Sequence, residues 1–284
     1  ASSYPNVQIN CRFPMSPWLR EDVMDLDRCL LKIYKHKRAC LMRINLFNVR
    51  LKDPMWGAPY LAKAKCRNIK NCENDNGRIL SAEYLETTLT DIDFKILLQE
   101  YEFDWIEFTD FYHSRYGLLP KQLRETVLEY FRRKTELKGV VGQELFYDLA
   151  KALLNAIYGM MAQDPCKASL EWHPETCTFE TSQDDVEKLL IKSRRGAYRS
   201  YSWGCWTTSW ARLRLWEGIY GDGDPEHPGV GRDYVYGDTD SIKYVGDHNI
   251  DWYNRQRIAD SKASGAYATD PKGKIHYMGV FEEE

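Results

Sequence analysis

Several features are scarce in this sequence. No apolar run is long enough to cross a bilayer, and no charged-then-apolar leader opens the chain. A membrane-embedded or secreted protein is therefore not expected. The eight cysteines (Cys11, Cys29, Cys40, Cys66, Cys72, Cys166, Cys177 and Cys205) form no Cys-x-x-Cys pair. That argues against a disulfide scaffold and fits a reduced, intracellular chain. Cys166, His173 and Cys177 are spaced too loosely for a zinc site. The formal net charge is only −3, so no global basic field advertises nucleic acid, and any such contact must come from local patches. The six histidines lie in unrelated contexts, and no Ser-His or Cys-His arrangement for nucleophilic catalysis stands out. What remains is a chain of 284 residues, long enough for one large or two modest domains. With 19 Tyr and 9 Trp it is rich in flat side chains that can stack.

The most informative stretch is Tyr234-Val235-Tyr236-Gly237-Asp238-Thr239-Asp240-Ser241-Ile242-Lys243-Tyr244. Apolar and aromatic residues flank a tight polar centre, which predicts two short strands joined by a turn. Asp238 and Asp240 then sit at the tip of a hairpin. Two carboxylates so close repel each other unless a cation lies between them, and hard oxygen ligands suit Mg²⁺. A rigid carboxylate pair can hold one or two Mg²⁺ against a phosphate substrate. The plainer reading is a solvated Asp-rich turn. Asp25/Asp27 and Asp91/Asp93 lie in helix-like stretches, and Asp222/Asp224 in a Gly/Pro loop, so only Asp238/Asp240 has apolar strands on both sides.

A second informative stretch runs from about Gln143 to Gly159. At about 100° per residue, Lys151, Asn155 and Tyr158 fall within roughly 60° of one another. Leu145, Leu149, Ala152, Leu153, Ala156 and Met160 form the opposite, apolar side. A cation with an amide and a ring beside it makes a plausible nucleotide surface, and an ordinary amphipathic helix is the alternative. Before it, residues 120–137 read as a basic helix with Leu123, Val127 and Tyr130 inward and Arg124, Arg132, Arg133 and Lys134 outward, ending at Lys138-Gly139.

The rest is organised more loosely. Tyr4-Pro5 reads as a strand end leading into a helix or turn. Residues 17–38 read as an amphipathic helix carrying Leu19, Val23, Leu26 and Leu30. Residues 40–46 alternate as a strand, and 67–79, with Asn-Asp-Asn-Gly, read as a turn. A helix near 90–101 and a strand near 104–110 follow. Residues 160–200 read as irregular, with a basic run at 192–195 that is either solvated or a DNA-backbone contact. Thr208-x-x-Ala211-Arg212 opens a further amphipathic helix. A Gly/Pro loop at 221–231 leads into the hairpin, and the tail reads as a helix from Asp251 and a short strand at 276–281.

Three of these stretches together resemble family B DNA polymerases. Tyr236-Gly237-Asp238-Thr239-Asp240-Ser241 resembles the metal-binding motif of that family, Lys151-x-x-x-Asn155-Ala156-Ile157-Tyr158-Gly159 its fingers-helix motif, and Ser2-Ser3-Tyr4-Pro5 its first motif, Asp-x-x-Ser-Leu-Tyr-Pro. Ala156 and Ser3 depart from the usual Ser and Leu. Thr208-x-x-Ala211-Arg212 is similar to a template-contacting segment of the protein-primed branch found in phages, adenoviruses and linear plasmids. The resemblance implies an α+β fold: a palm with an antiparallel, ferredoxin-like core, and an α-helical fingers hairpin. It implies a palm in 1–12 and 201–284, an associated insertion in 13–115, fingers in 116–162 and an irregular insertion in 163–200. It implies Mg²⁺ (two ions) on Asp238 and Asp240; Tyr4, Lys138, Lys151, Asn155 and Tyr158 around the incoming dNTP, with Tyr4 rejecting a 2′-hydroxyl; and Thr208, Arg212, Tyr236 and Thr239 on DNA. Lys138 is carried over across a gap. The implied partners are primer-template DNA and dNTP, with a terminal priming protein as a further candidate and no membrane. The implied place is a host cytoplasm, virus, organelle or plasmid replication system.

The implied reaction is attack of a primer 3′-oxygen on the α-phosphate of a dNTP. The Asp of the first motif would fall before Ala1, and the family's exonuclease and thumb domains lie outside the stretch, so a fragment with impaired activity is expected. The rival reading is a non-catalytic nucleic-acid-binding remnant, which needs the basic patches and not the carboxylates. Another two-metal enzyme, such as a nuclease, leaves the Lys-x-x-x-Asn-x-x-Tyr-Gly helix unexplained.

Overall fold

In a computed structural model the chain is α+β. Residues 3–282 are described, apart from 56, 163–168, 183–186, 189–190, 192–199 and 239. Thr239 and the basic run at 192–195 therefore lie outside the described residues, as does Cys166.

The largest sheet comes from the first half of the chain and is antiparallel. Its backbone is β3 (Arg38–Leu51), flanked by β5 (Arg78–Thr90) and β7 (Trp105–Gly117). β4 (Cys66–Asp75) extends the β5 edge, and the short strands β1 (Phe13–Pro14), β2 (Leu19–Arg20) and β6 (Tyr101–Glu102) fill in around β7 and β3. Alternation in β3 puts Cys40, Met42, Ile44 and Leu46 into the core, opposite Leu89, Leu85, Phe111 and Ile106 on its neighbours. This is the period of two expected of a sheet buried on one face. The helix α3 (Asp91–Glu100) follows β5 directly. Thr90 caps it, accepting from the Asp93 N–H at 3.1 Å, and Phe94, Ile96 and Leu97 face the sheet.

The middle of the molecule is α6 (Tyr201–Tyr220). Trp206, Ala211, Leu215, Trp216 and Ile219 are all buried, Trp206 in one apolar cluster and Leu215, Trp216 and Ile219 in another, so this helix is covered on most sides and is not the two-faced helix that the sequence suggests. The helix α1 (Ser3–Asn10) packs beside it. The pair formed by α4 (Lys121–Glu136) and α5 (Glu144–Met161) closes over α1 through Ile9, Val127, Phe131 and Leu154. The hairpin of β10 (Tyr234–Asp238) and β11 (Ser241–Tyr244) docks on α6. Gly218 makes room for it: a Cβ there would lie 2.5 Å from Ile242 Cδ1 and 3.1 Å from the Phe281 ring. The C-terminal α7 (Asp251–Ser264) ends at Gly265 in the left-handed region, and β12 (Tyr267–Thr269) pairs with β13 (Ile275–Tyr277).

Some local expectations are corrected. Residues 17–24 are not helical: Leu19 and Arg20 pair with β7, and helix α2 (Leu26–Leu30) begins only where the Asp25 side chain accepts from the Arg28 N–H. The turn expected over 67–79 shrinks to Asn76-Gly77, both in the left-handed region, joining two long strands. Residues 169–182 are not irregular: β8 (Ser169–His173) pairs with β9 (Thr178–Ser182) across a Trp172–Phe179 contact. Residues 3–10 form a helix rather than a strand end. The last strand stops at Tyr277. The apolar side of α5 is also not where the body lies. Ala150, Leu154 and Met161 are buried, whereas Leu145, Leu149 and Met160 face solvent. The large sheet lies in residues 13–117, and the β10–β11 hairpin pairs with no further strand among the described residues. No helix among the described residues is long and apolar enough to cross a membrane.

Candidate active site

The hairpin tip is built from its sequence. Asp238 pairs with Ser241, leaving a two-residue turn between them. The Asp240 N–H donates to the Asp238 carbonyl at 2.5 Å, and Ser241 Oγ donates to the same oxygen at 3.2 Å. Gly237 is needed for closeness, because a Cβ would meet Tyr234 Oη at 3.0 Å and the Ser241 carbonyl at 3.2 Å. Asp238 is exposed and Asp240 half-buried. Below the tip, Tyr234 and Ile242 pack against the main core, so the turn stands on an anchored base.

Side chains of four other elements feel the charges of this turn or act on one another beside it. Tyr4, on the first turn of α1, stacks on Tyr158 of α5 with ring centroids 4.5 Å apart and planes at 27°. Burial raises the Tyr4 pKa, and Tyr158 adds to it. The Asp240 and Asp238 charges push the same way, and Arg212 pushes back. The phenol therefore sits among the hairpin acids and the α6 guanidinium. On α4, burial lowers the Lys134 pKa, helped by the charges of Lys151 and Lys138 and opposed by Asp240. The charges of Lys151 and Lys138 and that of Asp240 thus act on Lys134 with opposite signs. Lys134 is a candidate that none of the sequence motifs marks. Its signal is present in the sequence, one helical turn before Lys138 on the basic helix.

Arg212 has a second partner. Its Nε and Nη2 donate to Asp93 Oδ1 at 3.0 and 2.9 Å, and Nη2 also reaches Oδ2 at 3.1 Å. Ser209 Oγ and Thr90 Oγ1 donate to the same carboxylate at 2.7 and 3.0 Å. The Tyr60 ring lies on another side, its centroid 6.0 Å from Arg212 Cζ. Thr208 Oγ1 donates to the Cys205 carbonyl at 2.8 Å. Tyr236 is more than half exposed, opposite Lys243, and Asn155 lies on the open face of α5. Tyr4 thus stacks on Tyr158 and feels the charges of Arg212, Asp240 and Asp238, while those of Lys151, Lys138 and Asp240 act on Lys134, and Thr208 lies one turn from Arg212 on α6.

Among the described residues no group of three or more His, Cys, Asp and Glu side chains could hold a metal ion. The donors at the tip are a pair of hard carboxylates at a solvent-facing turn. They fit Mg²⁺, which is commonly held by one or two carboxylates with waters and substrate phosphates completing its shell.

No protein-family model matches this sequence, and comparison with curated proteins returns no match. Solved structures do match. Phi29 DNA polymerase complexed with primer-template DNA is 16% identical, with a TM-score of 0.54 over 90% of this chain. The same polymerase with primer-template DNA and incoming nucleotide substrates is 18% identical, with a TM-score of 0.55 over 88% of this chain. Its complex with single-stranded DNA is 17% identical, with a TM-score of 0.53 over 87% of this chain. At this identity the likeness is one of fold. The chain spans 38% of the length of the first two of these polymerase chains.

Proposed function

We propose that residues 1–284 are the palm and fingers part of a template-directed DNA polymerase of the protein-primed family B type. In this reading 1–12 and 201–284 are palm, 116–162 are fingers, and 13–115 and 163–200 are insertions. The observation that supports it best is the Tyr4–Tyr158 stack, where Tyr4 feels the charges of the Asp238/Asp240 turn and Asp240 also acts on Lys134 of α4. A nucleoside triphosphate needs these three chemistries together: cations for the phosphates, a flat ring for the sugar and base, and acids that hold a metal.

Lys134, Lys138 and Lys151 neutralise and orient the triphosphate. Tyr158 and Tyr4 form the floor under the sugar and base, where Tyr4 excludes a 2′-hydroxyl and Asn155 borders the nascent pair. Thr208, Arg212, Tyr236 and Thr239 border the DNA. Asp238 and Asp240 would hold Mg²⁺, which when bound lowers the charge cost of attack by a primer 3′-oxygen on the α-phosphate and of pyrophosphate departure. The partners in this reading are primer-template DNA, dNTP and a terminal priming protein, within a replicating virus, plasmid or organelle.

Primer extension tests the reading. A longer form of the protein that supplies a further acid near the start of α1 should incorporate dNTPs, and Asp238→Asn in that form should abolish incorporation while DNA binding persists. Substantial residual turnover in Asp238→Asn would remove the metal role from the hairpin.

A further inference from the structure

The seam between the large sheet and α6 holds a cavity of about 270 Å³, with Lys52, Asp53, Glu100, Tyr220 and Arg232 among its lining residues. It lies at the foot of the β10–β11 hairpin, because Tyr220 ends α6 and Arg232 precedes β10 by two residues. Its walls are tied down. The Ala58 N–H donates to Tyr220 Oη at 2.6 Å, and the Lys52 N–H to the Glu100 carbonyl at 2.9 Å. The loop after Lys52 closes on itself through Gly57. The Gly57 N–H donates to the Asp53 carbonyl at 2.8 Å, and a Cβ there would lie 2.6 Å from that oxygen.

The charged groups that line the cavity are unequally served. Lys52 Nζ donates to the Leu98 carbonyl at 2.6 Å, in the last turn of α3. Arg232 Nη2 lies 3.6 Å from Asp53 Oδ2. Both cations therefore have acceptors of their own. Glu100 is different: it is 6% exposed and, among the described residues, forms no ion pair. Burial is the main cause that raises its pKa, to about 7, against a hydrogen bond from Tyr220 and the Lys52 charge. Tyr101, its neighbour in sequence, donates elsewhere, to the Ile79 carbonyl at 2.7 Å. A buried carboxyl that lines a cavity and lacks a cation is the natural partner for a cation entering that cavity. The C-terminal end of α3 favours the same sign. A cavity of about 150 Å³ takes a benzene ring, so this larger one suits a ligand of roughly ten non-hydrogen atoms or fewer.

We infer that this cavity is a binding site for a small primary aliphatic amine, whose ammonium pairs with Glu100 while its carbon chain lies along the cavity wall. The bound amine bridges the large-sheet region and the foot of the hairpin, since Glu100 ends α3 and Tyr220 ends α6. The site takes no part in the polymerase reading and does not rest on it.

Isothermal titration of residues 1–284 with n-pentylamine, n-pentanol and pentanoate tests the site, at about pH 7 in two buffers of different ionisation heat. The three probes share a carbon chain and differ in charge. The amine should bind about tenfold or more tightly than the alcohol, the gain expected of a charge-assisted hydrogen bond. Pentanoate should not bind. Because an ammonium favours the ionised carboxyl, the amine should release protons at about pH 7, and fewer at about pH 9, where the carboxyl is already ionised. Glu100→Gln should weaken amine binding about tenfold or more and abolish the proton release, whereas Asp53→Asn should leave the proton release intact. Thermal melts of both variants separate lost contact from lost fold, and the three-probe comparison and the proton count need no variant. Equal affinity for amine and alcohol, tighter binding of pentanoate, or binding of none of the three would overturn the site. So would undiminished amine binding by a folded Glu100→Gln protein. Primer extension is the separate readout of the polymerase reading, so neither failure entails the other.

Discussion

Asp93→Asn is the sharpest perturbation of the structure around the site, because it removes one charge and almost no volume. The Asp93 side chain is 7% exposed and that of Arg212 27%. Breaking a buried ion pair by neutralising one partner costs about 3–5 kcal/mol, mostly because the other charge is left desolvated. Arg212 keeps about a quarter of its surface in water, which relieves part of that penalty, so the lower end applies and we expect about 2–3 kcal/mol. The amide would also present N–H groups where Ser209 Oγ and Thr90 Oγ1 now donate, and both hydroxyls must turn. At about 2–4 °C per kcal/mol for a domain of this size, the melting temperature should fall by about 4–12 °C. Near-UV circular dichroism during heating, with urea unfolding by two probes to check two-state behaviour, measures it. Replacing both partners, as in Asp93→Leu with Arg212→Met, should recover much of the loss, because no charge is then stranded. A shift of under 2 °C for Asp93→Asn would show that the pair is worth no more than a surface bridge, and that α3 does not hold α6 in this way.

Three further outcomes are expected. Tyr4→Val, in an extension-competent form of the protein, should raise ribonucleotide incorporation relative to deoxyribonucleotide by about tenfold or more; an unchanged ratio removes Tyr4 from sugar selection. Gly218→Val should overpack the seat of Ile242, cost about 1–3 kcal/mol and lower incorporation well beyond the loss in stability, because the hairpin must shift; full activity would mean that the hairpin's seat on α6 does not set its tip. Glu100 is buried, and burial pushes its pKa up to about 7, against a hydrogen bond with Tyr220. A carboxyl whose folded pKa is raised contributes stability that is full below its unfolded value and lost as pH rises through the folded one. Glu100→Gln should therefore flatten the fall in stability between pH 5 and 8 by roughly 2–3 kcal/mol, at about 1.4 kcal/mol per pKa unit, and parallel curves for the two proteins would refute it.

What the sequence showed and what it hid divide along the reach of the interactions. The hairpin, α4 and α5 were legible because turn chemistry and helical period are local: Gly237 and the aspartates declare the turn, and Lys138-Gly139 declares the stop. The start of α2 was misread because Leu19 and Val23 happen to continue the period of Leu26 and Leu30. Leu19 is claimed instead by β7, and both Leu19 and Val23 are largely exposed. On α5 the period was right and its meaning wrong. The apolar stripe through Leu145 and Leu149 is real, but α1 and α4 take the neighbouring stripe of Ala150, Leu154 and Met161. A helical period gives the existence of a face and not its partner.

The Asp93–Arg212 pair was invisible for a stronger reason. Asp93 and Arg212 are 119 residues apart, and no pattern of spacing links them. Asp91/Asp93 was in fact set aside for lying in a helix-like stretch, where residues two apart diverge. That divergence is what the fold uses. Asp91 turns into the core, where it accepts from the Tyr116 hydroxyl at 2.7 Å, and Trp206 of α6 donates to that hydroxyl at 2.9 Å. Asp93 turns to Arg212 one and a half turns further along α6. The start of α3 thus holds α6 at two points, and α6 in turn seats the β10–β11 hairpin through Gly218, while its Arg212 charge acts on Tyr4. If the acids of the hairpin do chemistry, the geometry they need is set by a carboxylate pair that carries none.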